Sequence, residues 1–521
     1  VNFTGSGSDS DGQVSSYQWD FDGDDTFDFT SDTTGNTSYE YTSSSNFVAE
    51  FRVTDNLGLS NRMLFKIGVV ESGQAVDVGG QITTDQTWPT GFSFHAEDNI
   101  VIPSGITLTI EPDVTIKFSS GLSMQVDGTL VARGTESLPI IFSSVAPTPT
   151  AGDWGFIKFS DSSIDAVFDG DGNYLSGSVI QYCQVSYAGY GEQSYSAAIQ
   201  VETSAPFIDH CQISHNKGGG IYTQTPASIR ISNSTINHSN RFGNSYDQNG
   251  GGIIVYGGSA TINNNILTNN QAYQRAGAIT VFSNDAPTLI IGNTITDNEA
   301  TGNGSGAGGI HISANQATVT IKDNVIRDNN GSAGYGGGAG GIKVTSNNAE
   351  VVIDDNTIKG NAGSSGIDLG GHGFGPTGSA TITNNQISEN SPHGIVAVGS
   401  STTATAIRGN QIYNNTVNGI RVESANSDKP TVVENNTVYA NAGGIVFARQ
   451  GYTQYDNATV YASVSGNVIR DNTEFGLYVT SGGGSISGNS FSGNSGTRTI
   501  FVKNDRWSLN NNNISGNTST S

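Results

Sequence analysis

Four ionisable side chains recur at one position of a short strand motif in the second half of the chain. The motif is Gly-Ile-x-Val or a close variant, and its third position holds His311, Lys343, Asp368 and Arg421. Alternate residues of a strand point to opposite faces, so this position faces away from the core, and stacking sets successive members about 4.8 Å apart. The predicted outward column is Tyr222, Ile254, Thr280, His311, Lys343, Asp368, Val396, Arg421, Val446 and Tyr478.

A second outward column, two residues further along each strand, is predicted to end at Glu423. β-Elimination from a uronate needs a base such as Lys or His and a cation that neutralises the carboxylate, and Lys343 with Arg421 would serve it. Glycoside hydrolysis needs two carboxyl groups about 5 to 10 Å apart, and Asp368 with Glu423 would serve it. Both schemes stay open, with His372 and His393 in nearby loops. The predicted second column is Tyr256, Phe282, Ser313, Thr345, Gly370, Val398 and Glu423.

The same column also has a non-catalytic interpretation. Charged residues on an exposed sheet face pair across strands and keep the surface soluble. Asp209 and His210 could be read as an acid/base pair, but adjacent strand residues face opposite ways, so we do not expect them to meet. A comparable column without catalytic logic is Arg327, Lys359, Tyr413, Tyr439 and Arg470.

An acidic loop near the start of the chain carries four aspartates at D-x-D-x-D-x-x-x-D spacing. This spacing lets alternate carboxylates turn toward one oxygen-preferring cation, and Ca²⁺ is the natural candidate; a solvated acidic turn is the alternative. Asp25 replaces the turn glycine of an EF-hand, which disfavours that motif. A second acidic loop, at residues 169–173, has fewer ligands and is predicted to be a plain turn. The four predicted metal ligands are Asp20, Asp22, Asp24 and Asp28.

The elements that position these residues repeat along the chain. From residue 183 a polar residue or Cys is followed two residues later by an apolar one and, in the later repeats, five residues later by Asn, with 22 to 32 residues between repeats. Short β-branched runs at such a period indicate a solenoid of strands. Inward Asn at a fixed turn would form a hydrogen-bonded ladder along the axis. The first positions are Cys183, Cys211, Ser234, Asn264, Asn293, Asn324, Asn356, Asn385, Asn410, Asn436, Asn467, Asn489 and Asn512.

These repeats and the Gly-Ile-x-Val strands resemble the right-handed parallel β-helix repeat family, from about residue 75 to 521. The resemblance implies an all-β, right-handed parallel β-helix. The family includes polysaccharide lyases, hydrolases and epimerases as well as surface proteins without known activity, so it specifies the fold more closely than the function. Coils at 73–182 resemble the opening coils of secreted bacterial or archaeal surface members, and regular coils follow at 183–521. Cys183 and Cys211, one coil apart, are predicted to be buried thiols.

Residues 1–72 alternate in the manner of strands and predict a small β-sandwich. Ser16–Phe21 with its Trp-Asp-Phe, Tyr39–Tyr41 and Val53–Gly58 with its Val-Thr-Asp-x-x-Gly resemble the polycystic kidney disease (PKD) domain. That resemblance implies an extracellular spacer or a weak binder of carbohydrate or protein. Members usually carry one more strand before this point and the last repeat has no cap, so we expect a piece of a longer protein.

Composition restricts the partners. The 22 Lys and Arg against 46 Asp and Glu give a net charge of −24, which repels nucleic acid and anionic membranes. No apolar run approaches the roughly 20 residues that span a bilayer. We therefore predict an extracellular or cell-surface protein whose partners are polysaccharide or other copies or modules of a longer surface protein, with no nucleic acid and no membrane span.

Two functional hypotheses follow. The first is a non-catalytic surface or matrix β-helix for adhesion, assembly or glycan binding. The second is a secreted polysaccharide lyase, hydrolase or epimerase acting on the outward face. Its candidate catalytic residues are His311, Lys343, Asp368, Arg421 and Glu423.

Overall fold

The computed structural model describes most of the chain, and every regular element in that part is a β-strand. No helix in the described residues is long and apolar enough to cross a membrane. The described residues are 1–69, 74–191, 197–224, 228–241, 251–302, 306–313, 315–331, 338–345, 348–370, 379–398, 404–424, 428–447, 460–480, 482–503 and 506–519.

The chain divides into two compact units. The first comprises Val1–Asp77 with Phe92–Phe94, and the second comprises Val78–Gly91 with His95–Ser521. In the first unit a four-stranded antiparallel sheet and a two-stranded sheet surround a core of Phe3, Trp19, Phe21 and Phe51, which makes it a small β-sandwich. Its strands are Asn2–Phe3, Val14–Asp20, Phe29–Ser31, Thr37–Ser38, Ser45–Asp55 and Ser60–Val69.

The second unit is a right-handed parallel β-helix, as predicted, in which each coil contributes strands to three sheets. The first sheet comprises Gln86–Trp88, Thr107–Ile110, Thr129–Arg133, Val179–Gln181, Phe207–Asp209, Ser228–Ser232, Ser259–Asn263, Thr288–Ile291, Val319–Lys322, Val351–Asp354, Ala380–Thr383, Ala406–Arg408, Thr431–Glu434, Tyr461–Ser465, Gly483–Ser487 and Trp507–Asn510. The second sheet comprises Thr115–Phe118, Ile140–Ser144, Cys183–Ser186, Gln212–Ser214, Thr235–Asn237, Ile266–Thr268, Thr294–Thr296, Val325–Arg327, Thr357–Lys359, Gln386–Ser388, Gln411–Tyr413, Thr437–Tyr439, Val468–Arg470, Ser490–Ser492 and Asn513–Ser515.

The third sheet carries the predicted outward columns. It comprises Met124–Val126, Ile157–Phe159, Ala197–Val201, Gly219–Gln224, Ile253–Tyr256, Ile279–Phe282, Ile310–Ser313, Ile342–Thr345, Ala362–Leu369, Ser391–Val398, Asn418–Ser424, Gly443–Phe447, Phe475–Val479 and Ile500–Val502. Ala75–Gln81 and Ser93–Ile102 begin the stack, and short additional strands lie at Val167–Phe168, Tyr174–Ser176, Asn240–Arg241, Gln271–Ala272, Glu299–Ala300, Ser495–Gly496 and Thr518–Ser519.

Alternation along each strand fills the interior. In Val319–Lys322 the inward Val319 and Ile321 are fully buried, while Thr320 and Lys322 are partly exposed. The next strand of the first sheet repeats this pattern in register, with Ile321 beside Ile353. A slip of one residue would turn every apolar side chain outward, so the pattern fixes the register of the stack.

Asparagine ladders run along both ends of the second-sheet strands. In a typical rung the backbone N–H and the Nδ2 of Asn356 donate to Oδ1 of Asn385 at 2.9 and 3.0 Å, and the same Nδ2 donates to the carbonyl of Ile321 at 2.9 Å. One ladder was expected, and the structure has two. The first is Asn265, Asn293, Asn324, Asn356, Asn385, Asn410, Asn436, Asn467, Asn489 and Asn512. The second is Asn270, Asn298, Asn329, Asn361, Asn390, Asn415, Asn441, Asn472, Asn494 and Asn517.

The predicted register was wrong by one residue at the coil that contains Asn264. Asn265 occupies the ladder, while Asn264 is an exposed corner residue with φ of 57° and Ile266 is 46% exposed. Any of the three consecutive residues Asn263, Asn264 and Asn265 could be aligned with the ladder position of the other coils. Only the backbone conformation shows which of them occupies it. Each ladder Asn follows a residue in the left-handed region. Most of these residues are Asn, Asp or Gly, which adopt it at low energy, and the exceptions are Glu389 and Ala440.

At the first coils the first ladder position holds cysteine or serine. Cys183 and Cys211 are free, buried thiols, as predicted. Their Sγ atoms approach backbone carbonyls, that of Ala132 at 3.6 Å for Cys183 and that of Ile180 at 3.3 Å for Cys211. Burial raises the pKa of the Cys183 thiol well above its usual value. Cys183 therefore fills its corner as a neutral thiol.

Substituting one ladder residue should destabilise the β-helix far more than substituting its neighbour. Asn436→Ala removes the Oδ1 that accepts from both nitrogens of Asn410 and the Nδ2 that donates to the carbonyl of Ile407. Because buried groups left unpaired cost about 1–3 kcal/mol each, we expect a loss of about 3 kcal/mol or more in the free energy of unfolding, measured with guanidinium chloride.

The matched control is Asn435→Gly, one residue earlier. Asn435 has φ of 56°, and Gly409 and Gly466 occupy the equivalent corners of the two neighbouring coils. Glycine is therefore compatible with this backbone, and a change below about 1 kcal/mol is expected. Equal effects of the two substitutions would show that the ladder is not what stabilises these corners.

Candidate active site

The structure stacks the three central candidates on consecutive coils. Strands Ile310–Ser313, Ile342–Thr345 and Ala362–Leu369 pair in parallel, with His311 beside Lys343 and Lys343 beside Asp368. The first outward column is found in the predicted register from Tyr222 to Tyr478. We call His311, Lys343, Asp368, Arg421 and Glu423 the outward cluster.

The expectation of an exposed face was wrong for this column. Its central side chains point away from the core that contains Ile310 and Ile312, yet Lys343 is fully buried and His311 and Asp368 are each 4% exposed. Polar contacts join the central members of the column. Nζ of Lys343 donates to Oδ2 of Asp368 at 2.6 Å and to the carbonyl of Gly370 at 2.8 Å, and the Ser364 hydroxyl donates to the same Oδ2 at 2.8 Å.

His311 is held as a neutral imidazole. Burial, together with the positive charges of Arg275 and Lys343, lowers its pKa well below its usual value. Nε2 of His311 lies 2.9 Å from Oγ1 of Thr345, while its buried Nδ1 has no hydrogen-bond partner among the described residues. An unpaired nitrogen in such a place is available to a ligand or a proton.

Asp368 is the carboxyl group whose protonation is most perturbed in the cluster. Burial raises its pKa above the usual value, and the charge of Glu423 adds to the effect, although the Lys343 ammonium and the Ser364 hydroxyl act in the opposite direction. Its Oδ1 is buried without a hydrogen-bond partner in the described part of the chain. Asp368 therefore combines a perturbed carboxyl group with an unsatisfied oxygen.

Arg421 and Glu423 form the more accessible end of the cluster. Nε of Arg421 lies 2.8 Å from Oε1 of Glu423, and the two side chains are 12% and 17% exposed. The predicted place of Glu423 in the second column was wrong, because a bulge pairs Val398 with Ser424. Glu423 is the extra residue of this bulge, and its carboxylate lies on the side chain of Arg421.

The sequence analysis placed His393 in a loop near the cluster, but His393 lies in the strand Ser391–Val398. Burial and the positive charge of Arg421 lower the pKa of His393 to about 4, and Nδ1 of His393 lies 3.3 Å from the backbone nitrogen of Asn418.

Sequence reasoning missed two other neighbours of the cluster. The sequence analysis assigned Thr345 to the second column but did not predict its contact with Nε2 of His311. Ser364, at the start of its strand, lies in no repeated motif that could have signalled it. His372 lies outside the described residues.

The prediction that Asp209 and His210 do not meet was wrong. Nδ1 of His210 lies 2.7 Å from Oδ2 of Asp209. His210 ends the strand with φ of 50°, and this left-handed conformation turns its side chain back toward its neighbour. Hydrogen bonds from Ser232, Asn233, Gln181 and His210 outweigh burial and lower the pKa of Asp209. The alternation rule fails here because the strand has already ended.

Three of the four predicted metal ligands converge. Asp20, Asp22 and Asp28 each bring a carboxylate oxygen within 4.8 Å of the others, and Asp24 does not join them. Partial desolvation and the charges of neighbouring aspartates raise the pKa of Asp22. Such repulsion is what a bound cation would relieve, so the donor set fits Ca²⁺.

Residues 155–377 match the family model described as right handed beta helix region, residues 306–461 the model described as periplasmic copper-binding protein (NosD), and residues 80–197 the model described as pectate-lyase like beta helix domain. These matches begin at residue 80, so the PKD resemblance stays a prediction. No curated protein matches the chain.

Solved structures of similar fold include polysaccharide-modifying enzymes. The A-module of Azotobacter vinelandii mannuronan C-5 epimerase AlgE6 is 14% identical, with 80% of this chain and 91% of that chain covered and a TM-score of 0.34. The periplasmic alginate epimerase AlgG is 13% identical, with coverages of 81% and 78% and a TM-score of 0.35. A mannuronic acid specific family 6 lyase from human gut microbiota is 14% identical, with coverages of 78% and 77% and a TM-score of 0.27. Likeness at this level carries no argument about activity.

Breaking the buried ion pair on one side should destabilise the protein strongly. Lys343→Met leaves the carboxylate of Asp368 buried without its cation, and we expect a loss of about 3–5 kcal/mol in the free energy of unfolding. The double variant Lys343→Met/Asp368→Leu removes both charges and should recover most of that loss. Denaturant unfolding of the three proteins measures both effects.

The control pair is Lys322 and Asp354, which occupy adjacent coils of the first sheet in the same register relation. Their charged atoms lie 2.9 Å apart, but the side chains are 37% and 18% exposed. Lys322→Met should therefore cost less than about 1 kcal/mol. A similar cost for Lys322→Met and Lys343→Met would contradict the assignment of Lys343 to a desolvated pair.

Calcium should stabilise the first unit through the acidic loop. We expect saturable Ca²⁺ binding by calorimetry and a higher thermal midpoint, with about 2.7 kcal/mol of stabilisation at a free concentration one hundred times Kd. Asp22→Asn should abolish both effects.

Asp169→Asn in the second acidic loop is the control for this experiment. Its Oδ1 already accepts from the N–H groups of Asp171 and Asn173, at 2.9 and 2.8 Å. This variant should bind Ca²⁺ as the unmodified chain does. Binding that survives Asp22→Asn, or that fails in both variants, would refute the site.

Proposed function

We propose that this right-handed β-helix protein is a polysaccharide-active enzyme that uses acid–base chemistry at the outward cluster. The observation that supports the proposal is the burial of three ionisable side chains on consecutive coils, His311, Lys343 and Asp368, with two polar atoms left unpaired among the described residues. Strongly perturbed titratable groups that converge on one place are characteristic of active sites.

The fold does not require charge at these positions. Ile254, Val396 and Val446 occupy the same column and are buried in it. Taking an ion out of water costs several kcal/mol even when its partner is present, and well-packed apolar side chains are often at least as stable. Charges kept where neighbouring coils use valine or isoleucine therefore favour a chemical role over a structural one.

Asp368 and Glu423 are the proposed reacting pair. Their strands are separated by one intervening coil, so their backbones lie about 10 Å apart along the axis. The raised pKa of Asp368 suits a proton donor to the glycosidic oxygen as the C–O bond breaks. Glu423 would accept the proton of the attacking water. This assignment favours hydrolysis over elimination.

The remaining members position these groups. Lys343 is unsuited to act as a base, because its ammonium donates to Asp368 and to the carbonyl of Gly370. Arg421 holds Glu423 through its Nε. Neutral His311 stacks beside Lys343 in the column and is oriented by the contact of its Nε2 with Oγ1 of Thr345. Since Asp368 is 4% exposed and the Glu423 side chain is 17% exposed, a glycan would meet Glu423 first.

We place this activity outside the cytoplasm, where extended polysaccharides are found. The negative net charge suits a soluble secreted protein, and the family model matched at residues 306–461 is described as periplasmic. The N-terminal sandwich, if it is a PKD-like module, would serve as a spacer or an additional glycan contact.

The activity test uses a panel of acidic and neutral polysaccharides. We expect new reducing ends, without the ultraviolet absorbance of unsaturated ends, and a loss of kcat of about 10²-fold or more in Asp368→Asn and in Glu423→Gln. Glu423→Gln is the more decisive variant, because its partly exposed side chain is less important for folding. Asp354→Asn on the first sheet should retain full activity.

The products distinguish the related reactions. If unsaturated ends form and depend on the cluster, the reaction is elimination and not hydrolysis. If nuclear magnetic resonance shows a changed uronate configuration without chain cleavage, the reaction is epimerisation. Activity that is unchanged in both folded cluster variants would refute the proposed site.

The second candidate is the non-catalytic surface protein for adhesion, assembly or glycan binding. The observation that favours it is that Lys343 and Asp368 form an ion pair with each other inside the protein. Under this hypothesis no polysaccharide in the panel is converted, and Lys343→Met/Asp368→Leu retains glycan binding.

A further inference from the structure

We propose that His215 and His238 form a binding site for a divalent transition metal ion of the class that prefers imidazole ligands, with Zn²⁺ or Cu²⁺ as occupant. The two residues lie at the same corner of adjacent coils, immediately after paired residues Ser214 and Asn237. Their rings are parallel to within 1°, with centroids 4.8 Å apart, and both side chains are exposed. This site is remote in sequence from the outward cluster and does not depend on its activity.

The backbone holds both imidazoles on one side of the corner. His215 and His238 adopt left-handed conformations, with φ of 57° and 49°, and the N–H of His215 donates to the carbonyl of Asn237. These conformations fix the direction of each Cβ, so the two side chains leave the helix in parallel. A rigid scaffold thus places two nitrogen ligands side by side.

The tautomer needed for metal binding is also favoured. Nδ1 of His238 lies 3.3 Å from Oδ1 of Asn237, an oxygen that can only accept. When Nδ1 carries the proton, Nε2 keeps its lone pair and faces solvent, which is the arrangement typical of ligating histidines.

The two rings must reorient to share one ion. The in-plane lone pairs of parallel, stacked imidazoles do not converge, so both exposed rings must rotate about their side-chain torsions. Zinc–nitrogen distances of about 2.0–2.1 Å then place the two Nε2 atoms roughly 3.3 Å apart in a tetrahedral site. Water would complete the coordination. Imidazole nitrogen selects borderline metals, with Cu²⁺ bound more tightly than Zn²⁺, and disfavours Ca²⁺. The site is therefore distinct in chemistry from the acidic loop of the first unit.

Column neighbours supply substitutions that the fold tolerates. The next coil has Asn269 at this corner, also in the left-handed region with φ of 55°. His215→Asn and His238→Asn should therefore fold normally while removing a ligand each. The matched control is His210→Asn, because His210 is an exposed histidine at the other corner of the same strand, stacked on Tyr182 rather than on a second histidine.

The experiment is calorimetric titration of the full chain with Zn²⁺ in excess Ca²⁺, followed by Cu²⁺. We expect the unmodified chain to bind one more Zn²⁺ than His215→Asn/His238→Asn, each single variant to weaken that binding at least tenfold, and His210→Asn to match the unmodified chain. Affinity should fall as the solution is acidified, because a protonated imidazole cannot bind a metal ion.

Three results would overturn the proposal. They are the absence of saturable Zn²⁺ and Cu²⁺ binding, equal stoichiometry in the double variant and the unmodified chain, and a loss in His210→Asn as large as that in His215→Asn. Circular dichroism of each variant excludes misfolding as the cause of lost binding. None of these outcomes bears on polysaccharide turnover, so this proposal and the proposed function fail independently.

Discussion

The β-helix depends on how it satisfies the backbone polar groups at two tight corners of every coil. At each corner a left-handed residue turns the chain, and the following Asn places its amide inside, where it bonds the next Asn and a carbonyl of the coil before it. A buried N–H or C=O without a partner costs as much as several favourable contacts contribute, so the corner is the constraint that the sequence must meet repeatedly. The apolar core can vary between isoleucine, valine, leucine and phenylalanine, whereas the ladder positions of the later coils are Asn throughout.

This constraint determines where side chains can act. Both ladders hold each coil in register with the next. A residue in a third-sheet strand therefore lies beside the equivalent residue of the next coil even when an insert precedes the strand, as His311, Lys343 and Asp368 do. Inserts of different length between strands change the loops without shifting the columns. An outward column is thus a row of independently variable positions about 4.8 Å apart, at the scale of a sugar residue. The corners form similar rows, and one of them brings His215 onto His238.

The sequence allowed the fold and the outward column to be predicted because both depend on periodicity. What it could not supply were features that break the period. Asn264 and Asn265 are the same residue type, so only the backbone dihedral angles show that Asn264 is the corner residue and Asn265 the ladder residue. A one-residue bulge shifts Glu423 out of the second column. The His210 side chain contacts Asp209 because the strand ends at Asp209. The burial of Lys343 was missed because a strand pattern gives the direction of a side chain and no information about what lies over it.

The repeated backbone provides an internal comparison for judging which residues the fold needs. Where a column holds Ile254, Val396 or Val446 at some coils and a buried Lys343–Asp368 pair at others, the same scaffold accepts both, so the charged pair is not a condition of folding. Apolar packing at such a place is at least as favourable as an ion pair after desolvation is included. The same comparison applies at the corner, where Asn269 shows that histidine is not required at His238. Residues that depart from what neighbouring coils tolerate, at an energetic cost and without a structural need, are those whose presence calls for a chemical explanation.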